Sequence, residues 1–534
     1  METPSGSKFG WLKNFSAWHL PVILLVALAL RLCWFGWAQC HGLGYQVDGI
    51  EAYEVAARFE AGDERAQYIG QPNCNAHSKL PGPLWTLFCV AGLKLGGSLQ
   101  GVVLFIIAAN LAAIALTWRL ARDTVGETAA TLGALFMAVS LWMVQYSSIV
   151  WNPSPMPLLG AMVFLAIFRC VRVRNSRAIF LLPLLLLAGA QFHMSTLSLI
   201  LPLAAFGWLA RMRINRRWFL AGLLAALASY LPYLLGDSRH GWANTRGMLF
   251  GGAGGFSPDA LKIISSPFTF FVNFWNPGWT YAPGDYPRLA GQAFGGVPEL
   301  VAINAVSAVF AAGIFFGAAM AVKSAFKQSP SPLREMLTEN PSLKSLTFIF
   351  LAYLVFSLVA GKPFHSRYCL LVSPLLFTLA GAGAAWCLKT APLRKIFLAA
   401  LIITVAADLW FMPVVSRFEG DRIAAGAVFV PGVKKLEAIY RQLKSYAPGT
   451  AVVRDQDYIA AVASGEAGKI YLHARIISHY VMAREFEAQA AGAVFSRTNF
   501  FELRAASLVK LDDPGVAFYG NGIALVAVPE NVQR

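Results

Sequence analysis

Residues 21–39 read PVILLVALALRLCWFGWAQ, an apolar run broken by a single charge, Arg31. At about 1.5 Å of rise per residue, such a run coiled as a helix nearly matches the roughly 30 Å hydrocarbon layer of a bilayer. Lys8 and Lys13 precede it, as basic residues precede a secretory leader, but no small-x-small cleavage site follows. Further apolar runs follow instead, at 101–118, 299–322, 368–388 and 396–413, so the first is read as a retained helix. Of 534 residues, 57% are hydrophobic and 13% charged, against about a quarter charged in an ordinary soluble domain. The bilayer is the solvent for most of this chain.

The formal net charge of +16 would suggest a nucleic-acid partner in a soluble protein. Here the basic residues sit at the ends of apolar runs, so topology accounts for them and no nucleic acid is expected. They cluster at Lys8/Lys13, Arg119/Arg122, Arg169/Arg172/Arg174/Arg177, Arg211/Arg213/Arg216/Arg217, Lys323/Lys327/Arg334/Lys344 and Lys389/Arg394/Lys395. Spans near 20–39, 98–118, 127–146, 155–170, 178–191, 195–210, 217–236, 299–322, 344–360, 366–388 and 394–413 put every cluster on one side. The expected fold class is therefore mainly α, a polytopic membrane protein of about eleven transmembrane helices with its N-terminus cytoplasmic. This solution lays the short stretch Pro83 to Leu95 along the membrane surface.

Three substantial pieces then lie outside: a first loop over 40–97, a loop over 236–298, and a tail from about Val414. The tail alternates helix-like stretches (VKKLEAIYRQL, SHYVMAREFEAQAAG) with strand-like ones (TAVVR, KIYLHA, GIALVAV). It reads as a small α/β domain, giving the division 1–413 and 414–534. Seven cysteines are scattered without a CxxC pair, and no HExxH or Gly-rich phosphate loop occurs. Cys40 and Cys74 share the first loop and are the pair an oxidising compartment could join. No cofactor is called for; a divalent metal is left open.

The first loop opens GLGYQVDGIEAYEVAARFEAGDE over 42–64, with Asp48 and Glu51 three residues apart and so on one helical face. By spacing alone, Asp48 as helix cap and Glu51 in the first turn explain the pair as well as chemistry does. The same loop continues HSKLPGPLW over 77–85, placing His77 and Lys79 before an apolar stretch. VDGIEAYEVAARF followed by HSKLPGPLW resembles the first periplasmic loop of the GT-C glycosyltransferases that use polyprenyl-phosphate sugars. These include the protein O-mannosyltransferases and the lipid A aminoarabinose transferases. YSSIVWNPSPMPLLG (146–160), LPYLLGDSRHGWANTR (231–246) and GKPFHSRYCLLVSPLLFTLAG (361–381) resemble, in order, further segments of this group.

The resemblance covers about residues 20–390 and implies an inverting transfer of a sugar from a polyprenyl-phosphate donor to a lipid, glycan or protein acceptor. It further implies a bacterial inner membrane, with the tail in the periplasm. In that family an aspartate of the first outer loop is the general base, and Asp48 fits it. The family's adjacent acidic pair is interrupted here by Gly49, so Glu51 stands as the second candidate. A departing polyprenyl phosphate needs cations rather than an acid. Lys362, His365 and Arg367 occupy the family's place for a basic residue. Lys79 serves either that role or headgroup anchoring, and His77 neighbours it.

Asp237, Arg239 and His240 end the seventh span, where an Asp237–Arg239 salt bridge or interface anchoring competes with donor contact by Arg239. His193 reads as a hydrogen-bonded structural residue. The Gly- and aromatic-rich loop 237–298 suits a cover over the site or an interfacial belt equally. A transporter or lipid flippase is the alternative class, and it calls for ionisable residues near the midplane.

Overall fold

A computed structural model of the chain describes residues 16–40, 47–72, 79–173, 176–250, 297–327, 343–359, 368–424, 433–446, 450–454, 480–491, 498–505, 516–520 and 523–527. The helices are α1 (Ser16–Cys40), α2 (Val47–Glu60), α3 (Leu84–Gly96), α4 (Leu99–Thr124), α5 (Glu127–Val139), α6 (Leu141–Tyr146), α7 (Met156–Arg172), α8 (Leu181–Gly189), α9 (Ile200–Leu209), α10 (Arg216–Ser229), α11 (Leu231–Arg239) and α12 (Ala243–Phe250). They continue as α13 (Val297–Lys327), α14 (Leu343–Val359), α15 (Cys369–Lys389), α16 (Ala391–Ala424) and α17 (Val433–Tyr446). Among the described residues, each stretch expected to span is mainly helical. By length and composition His19–Gly36, Leu99–Thr124, Arg216–Arg239, Ala308–Lys327 and Cys369–Lys389 are sufficient to cross a membrane, and several shorter apolar helices accompany them.

The centre of the bundle is α15, which is buried along nearly its whole length. Its neighbours α5, α7 and α13 come close because small residues stand at the crossings. A Cβ added at Gly160 would lie 1.9 Å from the Leu371 carbonyl oxygen, and one at Gly381 would lie 2.1 Å from that of Ala129. Arg31, the lone charge of the first run, is wholly buried. Its guanidinium donates to the carbonyls of Ala27 (3.1 Å), Ala138 (2.9 Å) and Met137 (3.3 Å). The last two belong to the end of α5, where Ser140 turns the chain into α6 and leaves carbonyls open. A cation at a helix C-terminus satisfies them and meets the negative end of the dipole.

The two ends of the bundle gather different loops. At one end Asp123 takes Arg119 (2.7 Å), Arg122 (3.6 Å) and Arg172 (3.9 Å), and Lys344 lies 5.4 Å from the ring of Phe326. At the other end the first loop folds on the close of α11 and on the tail. There β1 (Ile69–Pro72) pairs antiparallel with β2 (Lys79–Pro81), a small sheet the sequence reading did not anticipate.

The stretch 83–95 forms α3, which turns tightly at Gly97 and packs on the start of α4. A Cβ at Gly92 would lie 2.6 Å from the Val102 Cα, and one at Gly96 would lie 2.3 Å from the Gly101 Cα. Glycines on both helices permit this approach, and Trp85, Cys89, Val90 and Leu93 are buried by it.

In the tail β3 (Thr450–Arg454), β4 (Thr498–Ala505), β5 (Val516–Gly520) and β6 (Ile523–Ala527) form one sheet in the order β3-β4-β6-β5. The β3 and β4 strands are parallel and need a crossover, and residues 480–490 between them are helical. The remaining pairs are antiparallel. The strand expected at KIYLHA lies outside the described residues, as do Cys74 and the side chain of Cys40.

Candidate active site

Helix α2 carries the acidic pair. Its Ile50, Tyr53, Ala56 and Ala57 are buried in an apolar cluster shared with Trp85 and Val90 of α3. Asp48 is the second residue of α2, one turn before Glu51; its side chain lies outside the described residues. Glu51 is almost wholly buried, at 3% exposure, and Glu54 follows it a turn later. Arg58 continues the same face, with its guanidinium 3.3 Å from Glu54 and 2.7 Å from Asp63. Burial opposes charge on Asp63, but the Arg58 bond and its proximity, with the Arg65 amide, outweigh that and hold the carboxyl below its usual range.

The break in the acidic pair has a packing reason. A Cβ at Gly49 would lie 2.3 Å from the Val150 carbonyl oxygen, so glycine lets the first turn of α2 sit on the loop before α7. Gly49→Ala is therefore expected to push that turn off Val150 and lower turnover by about 10²-fold, read as transfer rate beside the thermal midpoint. An unchanged rate would show that this contact does not set the site.

From Val150 a chain of contacts joins the loops whose sequences stood out. Asn152 Nδ2 donates to the Phe192 carbonyl at 2.9 Å, and Asn110 Nδ2 donates to the Ser154 carbonyl at 3.0 Å. Gln191 is fully buried; its Nε2 donates to the Ser229 hydroxyl at 2.7 Å, and its Oε1 accepts from the Leu84 amide at 3.4 Å. Gly82, at φ +115°, fits against that amide group, since a Cβ there would lie 2.2 Å from Gln191 Oε1. Trp85 Nε1 donates to Gln71 Oε1 at 2.8 Å, and the Trp85 ring lies 6.1 Å from Phe192. His193 accepts from the Ser195 amide at 3.2 Å, capping the short helix Met194–Leu199, and its ring lies 5.4 Å from Tyr368. The residue after Arg367 is thus seated at this end.

Lys79 begins β2 on the same end, and its side chain reaches the surface. Partial burial, together with Arg58 and Arg65, pushes its ammonium down from the ordinary lysine value, while Glu54 and Glu51 pull the other way. Lys79 and the α2 carboxylates therefore share one electrostatic environment. Arg239 differs from expectation: its partner is Glu64, at 2.9 Å, rather than Asp237. Both groups are exposed, so this pair adds about 0–1 kcal/mol. Asp237 is instead turned inward, accepting from the amides of Asn244 (3.0 Å) and Thr245 (2.9 Å) and the Thr245 hydroxyl (2.7 Å). His77, Lys362, His365 and Arg367 lie outside the described residues.

Sequence reading missed Gln191, Asn152 and Asn244, the amides that tie these loops together. The signal for Gln191 was present: a polar residue in an apolar run, two places before the His193 that drew notice. Among the described residues no three of His, Cys, Asp or Glu stand together in a way that could hold a metal ion.

Residues 78–235 match the family model for dolichyl-phosphate-mannose-protein mannosyltransferase. Among solved structures the apo ArnT from Cupriavidus metallidurans aligns over 97% of this chain and 98% of its own, with TM-score 0.57 and 14% identity. The same protein bound to undecaprenyl phosphate aligns over 98% of each chain, with TM-score 0.54 and 14% identity. The Archaeoglobus fulgidus oligosaccharyltransferase in the apo form covers 93% of this chain and 70% of its own, with TM-score 0.44 and 11% identity. No curated protein matches the sequence.

Proposed function

We propose that this chain, a membrane glycosyltransferase of the GT-C fold, transfers a sugar with inversion from a polyprenyl-phosphate donor to a lipid, glycan or protein acceptor. The reaction runs on the outer face of a bacterial inner membrane, with the N-terminus cytoplasmic and residues 414–534 forming a periplasmic domain. The observation that carries this reading is that the first turn of α2, which holds Asp48 and Glu51, packs on Val150 at the end of the bundle that also carries Lys79 of β2 and the seat of Tyr368. The basic face opposite fits the cytoplasmic side. A relative of the same fold binds undecaprenyl phosphate, which agrees with a polyprenyl-phosphate partner.

In this reading an acceptor oxygen or nitrogen attacks the anomeric carbon as its bond to the phosphate oxygen breaks. The acceptor proton passes to Asp48, with Glu51 as the second candidate, and polyprenyl phosphate leaves without needing an acid. Lys79 and Arg367, with His77, Lys362 and His365 nearby in sequence, stabilise the departing charge. Arg239 is the outlying member of this set, held by Glu64 and open to solvent.

Deleting the gene and weighing the envelope glycans and glycolipids by mass spectrometry tests the reading. The expected result is one missing sugar and accumulation of its polyprenyl-phosphate donor. Unchanged glycans with altered uptake or export of a solute would overturn it in favour of a transporter.

A further inference from the structure

We propose that Asn244 is a positioning residue for Lys79, aligning the lysine for a polyprenyl-phosphate headgroup; the proposal rests on the reading of Lys79 as a phosphate contact. Asn244 Oδ1 accepts from the Lys79 amide at 2.6 Å and Asn244 Nδ2 donates to the Lys79 carbonyl at 3.2 Å. Both main-chain groups of the lysine thus bond to one side chain 165 residues further along. Pro72 stands opposite Lys79 in β1 and has no N–H to give, so the asparagine supplies a donor the neighbouring strand lacks. Only a carboxamide offers the acceptor and the donor that mimic a strand at this position. An aspartate would set an acceptor against the carbonyl, and an alanine would leave both groups unmet.

Asn244 is itself fixed. It is 8% exposed, and its Nδ2 also donates to the Tyr233 hydroxyl at 3.1 Å. Its own amide donates to Asp237 Oδ1, while Asp237 Oδ2 takes the Thr245 hydroxyl and amide. Tyr233 and Asp237 are both buried. The Tyr68 ring rests on Gly236, where a Cβ would lie 2.2 Å from it, and its hydroxyl meets His240 Nδ1 at 3.1 Å. The end of α11 and the start of α12 therefore form a rigid polar brace, and Asn244 is the part of it that touches the lysine. Lys79, on that clamped backbone, is exposed, and its ammonium lies within the electrostatic reach of Arg58, Glu54, Arg65 and Glu51.

The test uses the purified full chain in detergent, with undecaprenyl phosphate as probe and Kd measured by native mass spectrometry. Lys79→Ala and Asn244→Ala are each expected to weaken binding by about tenfold, with the double variant no weaker than Lys79→Ala alone, because one acts through the other. Tyr233→Phe, which keeps the carboxamide but removes one of its partners, is the milder check should Asn244→Ala fold poorly. It is expected to weaken binding less, and only while Lys79 is present. Equal weakening by Asn244→Ala or Tyr233→Phe with and without Lys79 would reveal a merely structural role and overturn the proposal. So would unchanged binding in both Asn244→Ala and Tyr233→Phe when Lys79→Ala is weakened. If Lys79→Ala itself binds normally, the reading of Lys79 falls first and the positioning role falls with it.

Discussion

Asp48→Asn is expected to lower the rate of sugar transfer by about 10² to 10⁴ without weakening the binding of undecaprenyl phosphate. A carboxamide cannot take the proton of the attacking acceptor, and with a phosphate leaving group that is the one proton the step must move. The loss corresponds to roughly 2.7–5.5 kcal/mol of transition-state stabilisation, so it should appear in kcat at saturating donor rather than in donor affinity. Glu51→Gln is the paired measurement. Glu51 lies one turn further along α2 and is almost wholly buried, so its loss should act mainly through the packing and charge around Lys79. If Asp48→Asn keeps full transfer and Glu51→Gln loses it, the base is Glu51. If neither changes the rate, the enzyme reading itself fails.

Sequence carried the fold class well because the bilayer imposes one simple rule, about twenty apolar residues per crossing. Even the least regular stretch, 178–210, was readable as two short helices, which break around Gln191 and His193. The site was legible only in part. Spacing put Asp48 and Glu51 on one face, yet nothing local announces that Gly49 must be small, since its neighbour Val150 is a hundred residues away. Nearness in sequence makes Asp237 one candidate partner of Arg239, beside interface anchoring and donor contact, whereas the fold offers Glu64. The asparagine that fixes Lys79 and the glutamine that fits Gly82 act through long-range hydrogen bonds to main chain. Such bonds have no periodicity and no charge pattern to betray them.

Weakening the contact between the tail and α2 is the second change expected to have a large effect. The Tyr53 ring of α2 lies 5.8 Å from the ring of Tyr480, and burial beside Glu487 pushes its hydroxyl well up. Arg58 lies 5.4 Å from the ring of Phe486, so both ends of α2's second half touch the helix at 480–490. That helix is held in turn by ion pairs to α17: Arg484 bonds to Glu437 at 3.2 Å, and Glu485 bonds to Lys444 at 2.6 Å. A helix the length of α2 is marginal alone in water and depends on what it packs against. One side of it leans on α3 and Val150, and the other on this tail.

Tyr480→Ala with Glu487→Gln removes an aromatic contact and a charge-assisted hydrogen bond, together worth about 2–4 kcal/mol. To the extent that this stabilisation holds the first turn of α2 against the acceptor, kcat should fall by about tenfold to a hundredfold, with Kd for undecaprenyl phosphate unchanged because Lys79 is braced from α12. A fall in donor affinity instead would mean that the tail acts on the phosphate side of the site. A double variant with wild-type kcat would mean that α3 and Val150 alone suffice to hold the base.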